Sequence, residues 1–398
     1  MKIALIADVF PPLRSSGAVQ LRDLSIEFAL QGHEIVVMIP SSDISAPWLL
    51  EELQGVKVLR LRAPKTKDIS YVRRTINEFL MPFSMLRSLR GSPYANTKWD
   101  GVVWYAPTIF LGPIAKALKI ASNCKSYLII RDIFPEWAVD MGLMGRGLPY
   151  RCFKMIERYQ YSVADMIGVQ TPANLPYFDR ELGRAHGKTE VLQNWLSPAD
   201  NTGCTIDIAK TSLAGRNIFV YAGNMGVAQG MMTLLELAKD VQDRKNIGFL
   251  FVGRGSDVVQ LREYAQRNAL ENVLFFDEID PTEIPGLFAQ CHAGIVALDP
   301  RHKTHNIPGK FLTYMQAGLP VMALINPGND LETLIRQNRI GSVCLDRSIP
   351  NLKMSLFALV DELSNANEIA GRCKIISEEL FSTDVIVRQI VSNLGQNG

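Results

Sequence analysis

The sequence predicts an α/β protein of two similar halves, each a parallel sheet with helical crossovers. Three observations predict it. Short apolar runs of strand length alternate with segments of helical periodicity along nearly the whole chain. A polar, weakly periodic stretch, 197–216, interrupts this pattern, which then restarts. Glycine-bearing or polar loops follow several of the strand runs, and open parallel sheets take their ligands at such ends. The 398 residues suit two domains of ordinary size.

In the first half, Ile3 to Ala7 is a strand broken by Val9-Phe10-Pro11-Pro12. A loop through Ser15, Ser16 and Gly17 leads into a helix over 19–30, closed by Gly32-His33, and 35–39 is the next strand. Gly17 has no Cβ, so it either lets a substrate approach the backbone or merely permits the turn. A third strand is predicted over 56–61. Lys57 to Arg90 then holds nine basic residues against Asp68 and Glu78, with an apolar cluster from Ile76 to Leu86 that Pro82 interrupts. That composition fits an anionic membrane surface, or a domain helix with a solvated basic face. Strands follow over 101–104 and 126–130, separated by a helix over 109–118. The second of these strands runs into Arg131-Asp132-Ile133-Phe134-Pro135-Glu136. Asp132 and Glu136 are therefore candidates to contact a hydroxylated substrate or act as a base. The alternative reading of Asp132 is a helix cap. A helix over 153–163, a strand over 166–169 and the run Val191 to Trp195 close this half.

The second half opens with a strand over 218–222 and the glycine-rich loop Gly223-Asn224-Met225-Gly226-Val227-Ala228-Gln229-Gly230, before a helix over 231–241. Such a loop can offer backbone amides to a phosphate, though it is neither GxGxxG nor a Walker sequence. A strand over 248–252 ends in Gly253-Arg254-Gly255. A helix (258–268), a strand (273–276), a helix (284–291) and a strand (293–298) lead to HNIPGKFLTYMQAGLP, 305–320, and a buried strand over 321–325. Lys310 heads the short helix in that stretch, where the helix dipole disfavours a cation unless an anion is also bound. Arg254 and Lys310 together suit a diphosphate. With loops at the strand ends of both halves, the economical arrangement is two Rossmann-like domains facing each other across a cleft.

Composition narrows the function. A formal net charge of +2 gives no reason to expect nucleic acid as a partner. No apolar run reaches ~18 residues, so no transmembrane helix is predicted, and the N-terminus reads as a buried strand rather than a signal peptide. The six cysteines are scattered without a CxxC pair, as in a cytosolic protein with reduced thiols. His302 and His305, three apart, lack the further ligands of a zinc site.

On YAGNMGVAQGMMTLLELA, FLFVGRGSDVVQLREYAQRNALENVLFF and IPGKFLTYMQAGLPVMA, and in the first half on ADVFPPLRSSGAVQLRDLSIEFALQGHEIVVM, RDIFPEWAVDMGLM and VLQNW, the chain resembles a family 4 glycosyltransferase of the GT-B fold. The sub-type is similar to bacterial O-antigen and capsule enzymes that transfer N-acetyl-L-fucosamine. The resemblance implies an acceptor domain over 1–196, a linker over 197–216, a nucleotide-sugar domain over 217–374, and a terminal helix over 375–398 that crosses back. It implies a retaining, metal-independent enzyme without cofactor. The donor would be a UDP-sugar and the acceptor a sugar on a polyprenyl diphosphate at the inner membrane, approached through the basic stretch 57–90. The protein would then be cytoplasmic and peripherally membrane-associated. Lys310 matches the family lysine at the donor diphosphate and Gly17 the first-loop glycine. Gly223, Asn224, Gln229, Arg254, Gly309, Phe311 and Thr313 fall at donor positions. Asp132, with Glu136, falls at the acceptor and is the second catalytic candidate beside Lys310. Two departures stand out: the family's paired glutamates correspond to His305 and Thr313, and the loop's usual arginine and lysine are replaced, with Asn224 and Gln229 nearby. A GT-B nucleotide-sugar epimerase and a non-catalytic nucleotide-sugar-binding protein are the alternatives. A dinucleotide dehydrogenase is disfavoured, because neither half carries the glycine fingerprint with a later acidic residue.

Overall fold

A computed structural model describes residues 1–13, 15–183, 188–226, 229–299 and 306–395. The chain divides into two compact units, Met1–Trp195 with Thr383–Gly398, and Leu196–Ser382.

The first unit carries strands β1 (Lys2–Ile6), β2 (Glu34–Ser41), β3 (Trp48–Leu53), β4 (Val56–Arg62), β5 (Gly101–Ala106), β6 (Lys125–Ile130), β7 (Met166–Val169) and β8 (Thr189–Val191). Its helices are α1 (Ser16–Leu30), α2 (Tyr71–Leu89), α3 (Gly112–Ser122), α4 (Glu136–Asp140), α5 (Leu148–Val163) and α6 (Leu175–Leu182). The eight strands lie in the order β3-β4-β2-β1-β5-β6-β7-β8, and every pairing except β3 with β4 is parallel. The inner strands are continuous apolar runs because helices cover both faces of a parallel sheet. All six residues of β5 are buried. Helix α1 starts where the Ser15 side chain accepts from the Ala18 N–H.

The second unit contains β9 (Asn217–Ala222), β10 (Ile247–Val252), β11 (Val273–Phe276), β12 (Ala293–Ala297), β13 (Val321–Leu324) and β14 (Gly341–Cys344). Its helices are α7 (Met232–Asp240), α8 (Val258–Arg267), α9 (Ile284–Phe288), α10 (Gly309–Ala317), α11 (Asp330–Asn338), α12 (Ile349–Glu362) and α13 (Ala366–Phe381). The order β11-β10-β9-β12-β13-β14, all parallel, is the doubly wound 3-2-1-4-5-6 arrangement. Strand order reverses between β9 and β12 here, and between β1 and β5 in the first unit.

Four details differ from expectation. Strand β3 is not foreseen in the sequence; it is an exposed edge strand, WLLEEL, without clean alternation, and it turns into β4 through Gln54 and Gly55, both at positive φ. Pro82, read as an interruption, lies inside a continuous α2. Burial of Met81, Pro82, Met85 and Leu89 on that helix's sheet-facing side outweighs the hydrogen bond that proline removes. The stretch 197–216, read as a linker, packs Ile206, Ile208 and Leu213 into the core of the second unit. Finally, residues 375–381 remain in α13, where Phe381 meets Phe311 edge-on at 6.0 Å between ring centroids. The return to the first unit begins only with α14 (Thr383–Gly395). Ile386, Val387, Ile390 and Leu394 of α14 join the core of Leu21, Phe28 and Tyr127, and Gln389 donates to the Val191 carbonyl at 2.9 Å.

Candidate functional site

In the second unit the site is built on the reversal of strand order. Chain leaving β9 enters Gly223, whose N–H donates to the Val252 carbonyl at 2.9 Å. The loop after β10 lies directly against it. A Cβ on Gly253 would sit 2.1 Å from the Gly223 carbonyl oxygen, and one on Gly255 would sit 2.1 Å from that of Met225. Both glycines have φ near +150°, so only glycine suits either position. The Met225 N–H donates to the Arg254 carbonyl at 2.7 Å, and the Tyr221 hydroxyl to the Asn224 carbonyl at 2.6 Å. The Gln229 amide oxygen accepts from the Gly226 N–H at 3.1 Å and from the Asn224 side chain at 3.4 Å. Asn224 and Gln229 therefore shape the loop from within. Val227 and Ala228 lie outside the described residues.

Helix α10 is fixed over the same point by Tyr314. Its buried ring occupies the space above Gly294 of β12, where a Cβ would fall 2.4 Å away. Its hydroxyl lies 3.1 Å from the Val220 carbonyl and 3.3 Å from that of Ile295. This anchorage holds the start of α10 at the carboxyl edge of the sheet. Among the described residues nothing lies within 4 Å of where a Gly309 Cβ would be. Lys310 follows. Its ammonium stands 4.5 Å from the Tyr221 ring centroid and 3.8 Å from the position of a Gly223 Cβ. No carboxylate pairs with it among the described residues, and burial lowers its pKa to about 8.

The other expected donor residues are placed less uniformly. Phe311 is fully buried in the core against Phe381, which removes it from ligand contact. Thr313 donates its hydroxyl to the Lys310 carbonyl at 2.8 Å, inside the helix. The Arg254 side chain is exposed and pairs at the surface with Glu278, Nε to Oε2 3.2 Å, so it gives the loop only its carbonyl. His305 lies outside the described residues. Gly17 belongs to the first unit, at the start of α1, where a Cβ would lie 3.2 Å from the Tyr105 hydroxyl.

The carboxyl edge of the first sheet is rich in polar groups. Asp132 is exposed just after β6. The preceding Arg131 is buried, lies 4.4 Å over the Trp195 ring and donates to the Leu192 and Gln193 carbonyls, which ties β6 to the chain beyond β8. Glu136, expected at the acceptor, is engaged internally. Its Oε1 accepts from the Tyr150 hydroxyl at 2.6 Å and lies 3.4 Å from Lys154, and its Oε2 lies 3.6 Å from Arg146. That carboxylate fastens α4 to α5. Asp8, at the end of β1, was not singled out in the sequence. Its Oδ1 is closed off without a hydrogen-bond partner among the described residues, and burial pushes its carboxyl up to about 6 against the pull of Lys67. The side-chain oxygens of Thr171, Gln193 and Asn194, after β7 and β8, are likewise buried without partners there.

Two doubly wound parallel units of this kind are the GT-B fold. HepE of Anabaena, whose structure was solved with UDP, superposes with a TM-score of 0.67 over 99% of each chain at 15% identity. Residues 216–354, most of the second unit, match the family described as glycosyl transferases group 1. WbjE of Pseudomonas aeruginosa, named as a glycosyltransferase, is 24% identical over 253 residues, 62% of this chain and 61% of that protein. WcaI of Escherichia coli K12, named for glycosyl transfer in colanic acid biosynthesis, is 23% identical over 265 residues, 63% of this chain and 61% of that protein. The matches thus span about three fifths of these relatives' length. The fold is the GT-B fold, as the resemblance implied, and residues 216–354 match group 1 glycosyl transferases.

Proposed function

We propose that the protein is a retaining, metal-independent glycosyltransferase that moves N-acetyl-L-fucosamine from its UDP donor to a sugar carried on a polyprenyl diphosphate. The observation that carries this reading is Lys310, a partly buried ammonium without a carboxylate partner among the described residues, at a helix start beside a loop glycine. A partly buried cation without a counter-charge is costly, and an anionic ligand lowers that cost. Breaking the bond between the sugar and the diphosphate leaves new negative charge on the departing phosphate. Lys310 and the first amides of α10 stand ready to stabilise it. In the first unit Asp132, exposed at the sheet edge, orients or deprotonates the acceptor hydroxyl. The names of WbjE and WcaI, and the UDP in the HepE structure, support a nucleotide-sugar donor and a role in surface-polysaccharide synthesis.

A lipid-borne acceptor asks for a membrane contact, and α2 offers one. Tyr71, Val72, Ile76, Phe79, Leu80 and Phe83 are exposed on it, alongside exposed Arg73 and Arg87, while Lys65 and Lys67 precede it. The basic residues of β4 are occupied otherwise, Lys57 by Glu34, Arg60 by Glu51 and Arg62 by the Ser45 carbonyl. The membrane contact is therefore narrower than 57–90. Among the described residues no helix is long and apolar enough to cross a membrane.

Product analysis tests the reading. Incubation with UDP-N-acetyl-L-fucosamine and a polyprenyl-diphosphate-linked sugar in anionic vesicles is expected to yield a lipid product one sugar longer, with the protein sedimenting with the vesicles. Isomerised sugar nucleotide with the lipid unchanged would replace transfer by epimerisation.

A further inference from the structure

The glycine-rich loop after β9 has a cation at each end. Lys310 stands at its first glycine. At its last, Gly230, a Cβ would lie 2.8 Å from Nη1 of Arg347 and 3.8 Å from Cα of Asp299. Arg347 comes three residues after the end of β14, the edge strand, so its side chain reaches back towards the loop of β9. Its Nη2 is shut off from solvent and has no hydrogen-bond partner among the described residues, while Asp299 attracts the guanidinium electrostatically.

Arginines with a structural task in this protein look different. Arg131 clips the carbonyls of Leu192 and Gln193, and Arg372 holds the Arg339 carbonyl through two nitrogens. A guanidinium has five donors, and leaving them unused in a half-buried place is costly. The side chain here is packed against a glycine of a loop suited to a phosphate and has no such clip.

We propose that Arg347 is the second cation of the nucleoside-diphosphate site, binding the diphosphate at the Gly230 end of the loop while Lys310 binds it at the Gly223 end. It fills in space the role of the basic residue that the loop lacks in sequence, where Gln229 stands. The inference rests on the reading of this unit as the donor domain and adds a binding residue to it. A planar fork contacts two phosphate oxygens at once, which a point charge cannot do.

Calorimetric titration of the full chain with UDP, and with uridine as the phosphate-free control, tests it. Charge-assisted hydrogen bonds of this kind lead us to expect UDP binding about tenfold or more weaker in Arg347→Met, partly restored in Arg347→Lys, with uridine binding unaltered. Melting of the ligand-free variant should stay close to that of wild type, since the buried Nη2 holds no partner among the described residues. UDP affinity within twofold of wild type in Arg347→Met, with Lys310→Met clearly weakened, would overturn the role of Arg347 and leave the donor site standing. A lower melting temperature with equal loss of UDP and uridine binding would make Arg347 a structural residue. Wild-type protein that binds neither UDP, GDP nor ADP would remove the donor reading as well.

Discussion

Lys310 is decisive at the scale of single residues, because a cation at a helix start is disfavoured unless an anion is bound there. It stands partly buried at the positive end of a helix, with an aromatic ring and, among the described residues, no carboxylate beside it. Burial depresses its pKa to about 8, so the ligand-free native state gives up this proton more readily than the unfolded chain. A bound diphosphate favours the charged form and raises the pKa again. Binding above pH 8 must therefore take up a proton, and UDP affinity measured by calorimetry should fall as pH rises from about 8 to about 10. Lys310→Ala should bind weakly with no such break. This residue was legible in the sequence because a cation at a helix start is an anomaly. Asp8, Tyr221, Tyr314 and Arg347 were not. An aspartate after a strand, two tyrosines in apolar runs and an arginine in a polar turn each read as ordinary. Only their spatial neighbours, an unpaired carboxylate oxygen, a cation, two backbone carbonyls and a loop glycine, mark them out. Phe311 erred the other way: its place next to Lys310 suggested a ligand contact, but helical geometry turns it into the core.

Among the elements, α10 and the two glycine loops form one interlocked piece. Tyr314 sets the height of the helix over β9 and β12, and Gly294 provides the space for its ring. Adding a methyl group there forces a 2.4 Å contact with the ring, so Gly294→Ala should lower stability by about 1–3 kcal/mol in urea unfolding. It should also weaken UDP binding, since the helix start moves with the ring. Loss of stability without loss of UDP binding would mean that α10 does not position the ligand. The helices and inner strands were legible from periodicity and apolar runs. Strand β3 was not, because an exposed edge strand has no buried face to impose alternation. The continuity of α2 through Pro82 was hidden as well, since it depends on the sheet beneath it.

The whole molecule is two doubly wound units joined by two chain crossings, after Trp195 and after Ser382. Two-domain organisation was legible because the strand and helix pattern restarts. The crossings were misjudged where local polarity was the guide. The polar stretch 197–216 hides three buried apolar residues, and the second crossing falls at Ser382, between two helices, α13 and α14, that are both amphipathic. At this scale the central claim concerns turnover, and it is tested most directly by steady-state transfer with Lys310→Ala at saturating donor and saturating lipid-linked acceptor. Loss of a principal charge-stabilising group predicts a kcat lower by about 100-fold or more, with the acceptor KM little changed. Near wild-type kcat under those conditions would contradict the account.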